Sequence, residues 1–338
     1  MRTLVVNPGS SSLKVTLVED GSVVPDDGGP YDAIGVRFVH GGPDRTEPVV
    51  VDAAVLADLE RVSDLAPLHN PPALAAARDL GEQHPGVPVV ACFDTTFHTT
   101  IPVAASTYAL PREWNRRWQL RRYGFHGLSH AWAASRAAKL VGRPVEELAM
   151  VTCHLGGGAS LCAVRGGRSV DTTMGFTPLE GLVMQTRSGS VDPGLLLHLL
   201  RQEGVSADEL YDVLDRGSGL KGLSGTSGDF QEVRQARAGG DADADLAFDV
   251  YVHRLVRETG AMAAAAGGCD VLVFTGGIGE HAPELRSEVV GRLAHLGVRL
   301  DPARNDAVGG DGVVGEGVVV VEAREDLEID RRVRALLA

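Results

Sequence analysis

Glycine triplets, isolated arginines and strand-end carboxylates are the residues of this sequence that could do chemistry. The central stretch is Met150–Val164, in which Gly156, Gly157 and Gly158 separate two apolar runs. Because glycine has no Cβ, such a turn lets backbone N–H groups approach an anion closely, and phosphate is the usual anion. An ordinary hairpin turn is the alternative, since a short glycine motif is a weak signal by itself.

The same pattern of strand, small-residue turn and strand occurs near the start of the chain. Leu4–Leu17 carries the serines Ser10, Ser11 and Ser12 at its turn, followed by Lys14. A third stretch, Val271–His281, is a buried-type strand that runs into another glycine loop. Two similar hairpins far apart predict a duplicated domain, with one loop from each half facing a shared cleft. Such facing loops could hold a polyphosphate between them.

Two charged residues stand at unusual places in apolar runs. Arg37 lies inside the strand-like run Ile34–His40, and burying an arginine is costly unless the guanidinium is paired. Its partner is either a carboxylate of the protein or an anionic ligand. Asp94 follows the strand Val87–Phe93, at the strand end where α/β proteins place ligands. An aspartate that merely closes a turn is the alternative there.

The remaining candidates are one arginine and a pair of histidines. Arg187 is the only cation of Phe176–Pro193, and loops this long are usually functional or mobile. His126 and His130 are four residues apart, but Gly127 disfavours the helix that a metal pair would need, so a zinc site is less favoured. No serine or cysteine nucleophile stands beside an obvious base. The inventory therefore favours phosphoryl transfer, in which glycine loops hold the nucleotide and arginines bind the acceptor and the transferring group.

Strands that alternate with helical patterns must position these residues, and this alternation predicts an α/β fold. Ser129 is a candidate N-cap for the helix that follows it. The predicted helices are Val55–Leu65, Pro72–Gln83, Ala131–Val141, Pro193–Glu203, Ala207–Arg216, Asp245–Ala266, Pro283–His295 and Asp326–Leu337.

Composition narrows the class of protein. A length of 338 residues allows two domains with real cores. The 45 acidic and 32 basic residues give a net charge of −13, which argues against nucleic acid as a partner. The four cysteines form no Cys-x-x-Cys pair, so buried free thiols are expected. No signal peptide or spanning segment is recognisable, which predicts a cytoplasmic protein without a membrane partner.

Taken together, the motifs closely resemble those of the acetate kinase family, in order along nearly the whole chain. The motifs are Asn7–Lys14, Arg37–Gly42, Pro67–Pro71, Phe93–His98, Arg122–His130, Asp171–Pro193 and Phe274–Glu280.

The resemblance implies a homodimer of the sugar kinase–actin superfamily. Each chain would hold two RNase H-like (actin-like ATPase) domains with a duplicated βββαβα core and a cleft between them. The shortened N-terminal domain would comprise residues 1–97 plus 327–338, and the C-terminal domain residues 98–326, with the nucleotide site and the dimer contacts. The implied reaction is reversible phosphoryl transfer, dependent on Mg²⁺ or Mn²⁺, directly in line from ATP to acetate, giving acetyl phosphate and ADP.

The family's functional residues carry over onto matching positions. Arg37 would hold the substrate carboxylate, and Asp94 would be the essential acidic residue near the metal and the acceptor. His126 and Arg187 would stabilise the transferring phosphoryl group. Asn7 and Glu325 would serve the magnesium site. The acetate pocket would comprise Val39, Leu68, His69, Phe125 and Pro178. The nucleotide site would comprise Ser10, Ser12, Lys14, His154, Leu155, Gly156, Gly157, Gly158, Asp229, Phe230, Gln231, Gly277, Ile278, Gly279, Glu280 and His281.

The chain departs from the family pattern around the nucleotide. The family usually has Asn where Gly157 stands and Arg where Gln231 stands. Gln185 and Ser190 flank Arg187 at positions where the family has Gly and Asp. The usual Thr-Asn-Glu-Glu reads Ala323–Asp326 here, and the segment between residues 18 and 34 is shorter than usual.

These departures keep two alternatives open. One is a related kinase with another acceptor, such as propionate or a specialised carboxylate, or with another phosphoryl donor. The other is a weakly catalytic nucleotide-binding protein. Retention of Arg37, Asp94, His126 and Arg187 argues against the second, because a protein that only binds nucleotide does not need that set.

Overall fold

Two mixed β-sheets form the framework of the molecule. The computed structural model describes residues 1–8, 13–66 and 69–338, and within them the first sheet has six strands in the order β3-β2-β1-β4-β6-β5. β1 pairs with β2 in antiparallel and with β4 in parallel orientation, and β4 pairs with β6 in parallel. The strands are β1 (Arg2–Pro8), β2 (Leu13–Glu19), β3 (Ser22–Val24), β4 (Ala33–Phe38), β5 (Val49–Val50) and β6 (Val89–Phe93).

The second sheet repeats this arrangement. Its seven described strands run in the order β11-β12-β13-β10-β7-β8-β9, with β7 antiparallel to β8 and parallel to β10. The strands are β7 (Ala149–Leu155), β8 (Ala159–Arg165), β9 (Arg168–Thr172), β10 (Val271–Thr275), β11 (Arg299–Leu300), β12 (Gly312–Glu316) and β13 (Val318–Val320). The order β9-β8-β7-β10-β13 matches β3-β2-β1-β4-β6 strand for strand. The predicted duplication and the RNase H-like, actin-like ATPase fold are therefore confirmed.

The predicted helices are confirmed, with ends shifted by a few residues. The stretch after β10, predicted as a loop, instead forms a short helix, because Gly276 with its φ of 80° turns the chain directly into it. The described helices are α1 (Ala53–Arg61), α2 (Asn70–Gln83), α3 (Val103–Ser106), α4 (Arg112–Arg117), α5 (Gly127–Val141), α6 (Pro193–Gln202), α7 (Ala207–Arg216), α8 (Gly219–Ser224), α9 (Phe230–Ala238), α10 (Ala242–Ala266), α11 (Gly276–His281), α12 (Pro283–Arg292), α13 (Pro302–Ala307) and α14 (Glu325–Leu337). None of these is long and apolar enough to cross a bilayer.

The last helix, α14, packs on the first sheet rather than on the second. The alternation along β1 sends Leu4 towards α1 and α2, whereas Val5 faces the other side and joins Ile329 and Val333 of α14. Gly35 on β4 permits this contact, since a Cβ there would lie 2.5 Å from the Ile329 Cγ2. This packing supports the grouping of residues 327–338 with the first domain, and the domain boundaries themselves stay a prediction.

The connection between β3 and β4 explains why the first half is short. Only residues 25–32 separate these strands, and they form no helix. Eight residues are too few for a crossover helix, so the helix that a βββαβα core places here is missing. In the second half, α6 to α10 fill the corresponding position between β9 and β10. The first half therefore relies on α14 and α5 to cover that face of its sheet.

Candidate active site

The predicted site residues meet where strands of both sheets end. Asn7 lies near the end of β1, Arg37 near the end of β4, and Asp94 directly after β6. From the other sheet, His154 lies at the end of β7 and Gly276 directly after β10. Three adjoining cavities of about 520, 310 and 330 Å³ open between these ends. The carboxyl ends of the strands thus form a cleft, as the α/β rule predicts.

Arg37 is the centre of a charged cluster. Its Nε donates to Asp94 Oδ1 at 2.9 Å and its Nη2 donates to Asp94 Oδ2 at 2.7 Å. Its Nη1 donates to Asn7 Oδ1 at 3.1 Å and lies 3.2 Å from Glu325 Oε2. Asn7 Nδ2 in turn donates to Glu325 Oε2 at 2.8 Å. The partner of the buried arginine is therefore a set of protein groups, contributed by β1, the end of β6 and the start of α14.

Burial and charge oppose each other in this cluster. Burial raises the pKa of the Asp94 carboxyl, which is 1% exposed, and the guanidinium of Arg37 limits that rise. For Glu325, burial acts in the same direction, but Arg37 and His154 outweigh it and lower the pKa below its ordinary value. Arg37 itself stays charged, since Asp94 and Glu325 raise its pKa against the effect of burial. The cluster is an arginine shared by two acidic side chains.

His126 projects into the cleft from the start of α5. It adopts a left-handed backbone conformation with φ of 55°, and the helix begins at Gly127. A Cβ on Gly127 would lie 2.0 Å from the backbone oxygen of Asp94, so only glycine fits there. His126 Nδ1 lies 2.9 Å from Ser160 Oγ, and its ring stacks on that of His154 at 4.4 Å. The close fit between Gly127 and Asp94 fixes the distance from His126 to the charged cluster.

Ser129 does not cap α5, contrary to the sequence prediction. His126 occupies the N-cap position, and the Ser129 hydroxyl instead lies 2.7 Å from His154 Nδ1. Burial lowers the pKa of His126 well below its usual value, and His154, Arg37 and Arg187 act in the same direction. Burial also lowers the pKa of His154. Both rings are therefore neutral at pH 7.

The less favoured zinc pair is not formed. Both ring nitrogens of His130 are occupied, Nδ1 by the Thr152 hydroxyl and Nε2 by the Ser160 hydroxyl, each at 2.8 Å. Among the residues that the structure describes, no group of three or more His, Cys, Asp or Glu side chains is arranged to hold a metal. The two histidines belong to a hydrogen-bonded array rather than to a zinc site.

Arg187 approaches the cleft from the long loop that precedes α6. Its Nε donates to Asp215 Oδ1 at 2.9 Å, and it lines the 310 Å³ cavity together with Arg37. Sequence reasoning missed Asp215. Its signal was present, however: an acidic residue in the last turn of α7 opposes the helix dipole and so needs a partner elsewhere. Ser160 was also missed, because a serine on a buried strand has no distinctive local pattern.

The 310 Å³ cavity combines charge with a small apolar wall. Val39, His69, Phe125 and Pro178 line it beside Arg37, Asp94, His126 and Arg187. Burial lowers the pKa of His69 to about 4, so this ring is neutral as well. The structure thus brings together the predicted acetate-pocket residues that it describes, whereas Leu68 lies outside the described residues. The cavity suits a short carboxylate with a small apolar tail.

The 330 Å³ cavity is a groove lined largely by glycines and apolar groups. Eight of the predicted nucleotide residues line it: Gly156, Gly157, Asp229, Phe230, Gln231, Gly277, Ile278 and His281.

The other predicted nucleotide residues lie elsewhere. Gly158 borders the 310 Å³ cavity, and Lys14 and His154 border the 520 Å³ cavity. Three more do not line these cavities: Leu155 is fully buried in the core, Gly279 packs against Phe274, and Glu280 Oε1 accepts from the backbone of Ala323 at 3.0 Å. Ser10 and Ser12 lie outside the described residues.

Two of the departures from the family pattern meet in space. A Cβ on Gly157 would lie 3.1 Å from Gln185 Oε1, and the Gln185 backbone N–H donates to the Gly157 carbonyl at 3.1 Å. Gln185 lines both the 310 and the 330 Å³ cavities. The carboxamide from position 185 thus occupies the space above Gly157 that a larger residue at 157 would need. Ser190 has a local role, since its hydroxyl accepts from the Gly181 N–H at 3.0 Å.

The donor set of the cleft fits a magnesium ion that arrives with phosphates. Asn7 and Glu325 supply an amide oxygen and an ionised carboxylate, and Mg²⁺ prefers one or two such ligands plus water and phosphate oxygens. The 520 and 310 Å³ cavities together are lined by equal numbers of positively and negatively charged side chains. They are Lys14, Arg37, Arg187 and Arg324 against Asp94, Glu322, Glu325 and Asp326. A polyphosphate therefore needs further positive charge, which a divalent cation would bring.

Comparison with known proteins gives one consistent family. The sequence model of the Acetokinase family matches residues 23–331. The acetate kinase of Synechococcus sp. is 48% identical over 325 residues, which cover 94% of this chain and 79% of that protein. The crystal structure of Porphyromonas gingivalis acetate kinase is 34% identical with a TM-score of 0.92 and covers 100% of both chains. A propionate kinase from Francisella tularensis is 33% identical with a TM-score of 0.88 and covers 98% of both chains.

Proposed function

The chain belongs to the acetokinase family, and on this premise we propose that it catalyses reversible phosphoryl transfer from ATP to acetate, giving acetyl phosphate and ADP. One observation carries the proposal. The cavity with two arginines and a small apolar wall adjoins the glycine-lined groove, and Gly157 and Gln185 line both. A carboxylate in the first space and a nucleotide in the second would place acceptor and phosphate chain end to end.

The acceptor would bind by charge at one end and by shape at the other. Arg37 has five N–H groups, of which three donate hydrogen bonds to Asp94 and Asn7, and Nη1 also lies within ion-pair distance of Glu325. One N–H of Nη2 therefore remains for the acetate carboxylate, which Arg187 would face as well. The methyl group would lie against the apolar wall formed by Val39, Phe125 and Pro178.

The transfer step needs no covalent enzyme intermediate. A carboxylate oxygen of acetate attacks the γ-phosphorus, and the bond from that phosphorus to the β-phosphate oxygen breaks, so ADP leaves in line with the attack. Negative charge on the equatorial phosphoryl oxygens would be met by His126 Nε2 and Arg187. Their placement before the reaction is what stabilises the transition state, because they need not reorganise as charge develops.

Asn7 and Glu325 are the residues that would hold Mg²⁺ in this cleft. The ion would neutralise phosphate charge that the balanced side chains of the cleft leave uncompensated. Lys14 and His154 border the same cavity and would face the phosphate chain.

We also propose that the protein is a homodimer. Exposed apolar side chains recur on α6, α7, α8 and α10 and directly before α6, and no residue of α6 is buried. An apolar face of this kind is typical of a subunit interface. The exposed residues are Val191, Leu195, Leu197, Leu200, Tyr211, Val213, Leu223 and Leu246. The variant Leu197→Glu should convert a dimer into a monomer in light-scattering measurements, and an unchanged mass would contradict this assignment.

A cytoplasmic location is part of the proposal, because the four free cysteines suit a reducing compartment.

A hydroxamate assay with Mg²⁺ and ATP tests the proposed reaction. We expect acetate to give more product than propionate or butyrate, and His126→Ala and Arg187→Ala to lose it. His295→Ala and Arg292→Ala are matched controls, since both side chains are exposed and neither lines the three cavities. Turnover with propionate but not acetate would assign a related kinase, and tight ATP binding without any turnover would assign a binding protein.

The apolar wall offers a second test of the acceptor. Val39→Ala enlarges the cavity by two methyl groups, so kcat/KM for propionate should rise relative to acetate. One methylene in an apolar pocket is worth about 1–3 kcal/mol, so the ratio should shift by about tenfold or more. An unchanged ratio would mean that the acceptor lies elsewhere.

A further inference from the structure

A line of buried hydrogen bonds runs from the cleft into the second sheet. It begins at His126 Nδ1, which lies 2.9 Å from Ser160 Oγ. The same oxygen lies 2.8 Å from His130 Nε2, and His130 Nδ1 lies 2.8 Å from Thr152 Oγ1. Ser160, His130 and Thr152 are fully buried, so no solvent competes for these protons. The two middle groups, Ser160 and His130, each have one neighbour in the line on either side.

Proton counting allows this line only two orientations. A neutral imidazole carries one N–H, and a hydroxyl donates one hydrogen bond. Burial keeps both rings neutral, since it lowers the pKa of His126 and of His130 well below the usual value. If one member reversed alone, two donors or two lone pairs would face each other at less than 3 Å. The four groups must therefore point their protons in the same direction.

The two orientations differ at the cleft. In the outward orientation Thr152 donates to His130, His130 donates to Ser160, Ser160 donates to His126 Nδ1, and the His126 proton sits on Nε2. In the inward orientation His126 Nε2 is a bare lone pair, and the Thr152 hydroxyl must donate to the carbonyl of Cys162. That contact is 3.5 Å long, at the limit of a hydrogen bond.

The surroundings of Nε2 select the outward orientation. A Cβ built on Gly158 would lie 3.3 Å from His126 Nε2 and 3.7 Å from Arg187 Nη1, so both nitrogens border the same space. Arg37 lines that space too. Two arginines draw an anion there, and the oxygens of a carboxylate or phosphoryl group can only accept. A lone pair on Nε2 would repel them, whereas an N–H would bind them.

We propose that Thr152, His130 and Ser160 are positioning residues that hold His126 in the Nε2–H tautomer, so that Nε2 donates to the anion in the cleft. The inference rests on the proposed function only in naming that anion as the transferring phosphoryl group. Thr152 is the origin of the line, although its hydroxyl lies two hydrogen-bonded groups away from His126. If His126 Nε2 must donate at the cleft, Ser160 must donate to His126 Nδ1, His130 must donate to Ser160, and Thr152 must donate to His130.

Thr152→Val and Thr152→Ser form the first test. Valine keeps the shape of threonine but removes the donor for His130 Nδ1, and serine keeps the donor. We expect Thr152→Val to lower kcat about tenfold, which is less than the loss of a transition-state donor itself would cost. The KM values for ATP and acetate should stay within about twofold of those of the parent chain. Thr152→Ser should keep most of kcat. Equal loss in both variants, following their melting temperatures, would assign Thr152 a purely structural role and overturn the inference.

His130→Gln sharpens this test through a double-mutant cycle. With its side-chain amide nitrogen near the place of Nε2, glutamine donates to Ser160 without needing a proton from Thr152, and Ser160 then donates to His126. In the His130→Gln background, Thr152→Val should therefore have no further effect on kcat. The same tenfold loss in both backgrounds would contradict a relay through His130.

The tautomer can also be read directly on the parent chain, independently of turnover. We would record the two-bond ¹H–¹⁵N spectrum of the full chain labelled with ¹⁵N-histidine, with inorganic phosphate as the anion, and assign His126 through His126→Gln. The expected pattern is that of the Nε2–H tautomer, and the Nδ1–H or imidazolium pattern would overturn the inference. Because this readout needs no acetate, a protein that fails the hydroxamate assay but shows Nε2–H would refute the acetate reaction alone.

Discussion

The two halves of the molecule face one cleft with different kinds of polar group. The first sheet and α14 present a charged cluster, in which Arg37 is ion-paired to Asp94 and Glu325 at 2.7 and 3.2 Å. The second sheet and α5 present neutral rings, with His126 and His154 stacked at 4.4 Å and anchored by serine hydroxyls. The same order of five strands therefore presents ion-paired side chains in one half and neutral imidazole rings in the other.

In the proposed reaction the two sides would have different tasks, and these tasks would account for the difference. Charged pairs hold an anionic acceptor and a metal strongly, but they must be balanced, because an unpaired buried charge is costly. Neutral rings can donate to a phosphoryl group without adding a charge that needs a partner in the resting protein. The first half is thus suited to binding and the second to directing hydrogen bonds at the group in transfer. Four predictions test this division, in order of decreasing effect.

Arg37→Met should have the largest effect, because it removes the common partner of Asp94 and Glu325. We expect kcat/KM to fall by about 10³-fold or more, since binding and charge stabilisation are lost together. The free energy of unfolding should fall by about 3–5 kcal/mol, because Asp94 would be left buried without a partner. Steady-state kinetics and urea unfolding measure the two effects.

The matched control is Arg45→Met, which breaks the more exposed pair with Asp58 and should cost about 0–1 kcal/mol. The double variant Arg37→Met/Asp94→Asn should regain stability but not activity, since the unpaired carboxylate is gone while the guanidinium is still missing. Full activity in Arg37→Met would refute the assignment of binding to the first half.

Arg187→Ala comes next, because Arg187 is the one cation that the second half contributes to the 310 Å³ cavity in the described residues. We expect kcat to fall by about 10²–10³-fold, as for the loss of an oxyanion donor. Asp215→Asn keeps an acceptor for the Arg187 Nε and should cost only about tenfold. If Asp215→Asn cost as much as Arg187→Ala, the carboxylate charge itself would be essential rather than the placement of Arg187.

Acid stability is the third test, because neutral rings make the second half sensitive to pH. Burial lowers the pKa of His98 to about 4, and its ring joins β9 through Ser169 at 2.9 Å. The unfolded chain, with an ordinary histidine pKa of about 6.5, therefore binds this proton more readily. Stability is thus fully present above about pH 6.5 and is lost as pH falls towards 4. This histidine alone should cost about 2 kcal/mol between pH 8 and pH 5.

Urea unfolding at several pH values measures this loss. His98→Gln keeps a donor for the Phe125 carbonyl and removes the titration, so its stability should decline less steeply with acid. His295→Gln, at an exposed position, is the control and should leave the slope unchanged. Identical slopes for His98→Gln and the parent chain would mean that His98 does not contribute to acid sensitivity.

The smallest effect concerns the contact between Gln185 and Gly157. Gly157→Asn alone should collide with Gln185 Oε1, whereas in the Gln185→Gly background the same asparagine has room. From the KM values for ATP of the parent, the two single variants and the double variant, we expect a coupling free energy of about 1 kcal/mol. Strictly additive effects would show that the two positions do not share the space above the phosphates.

The fold was largely predictable because its signals are local and repeated. The two hairpins Leu4–Leu17 and Met150–Val164 carry the duplication, and their strands pair as expected. Helix lengths followed from periodicity, as in α7, whose limits match the prediction. The missing helix between β3 and β4 was visible only as a short segment. The helical form of Gly276–His281 was not predictable, because it depends on a single positive φ.

The site was predictable to the extent that its residues lie in long motifs. Arg37 and Asp94 were identified from the sequence. Whether Arg37 pairs with the protein or with a ligand could be decided only from the structure, because two of its partners, Asn7 and Glu325, are 318 residues apart in the sequence. Ser129 was predicted to cap a helix and instead holds His154. Ser160 acts through contacts between distant elements that nothing in its neighbouring sequence reveals. The place of Asp215 in the last turn of α7 indicated that its carboxylate needs a partner, but not that the partner is Arg187.

The return of α14 to the first sheet has a consequence for how the protein is made. The strands of that sheet leave the ribosome early, but Ile329 and Val333, which cover Val5 and Gly35, are translated after the strands of both sheets. During synthesis the face around Val5 stays open while more than two hundred later residues emerge, and by then the second sheet can already have folded. The half that is synthesised first is therefore the half that is completed last, and its open face is where a chaperone would bind the nascent chain.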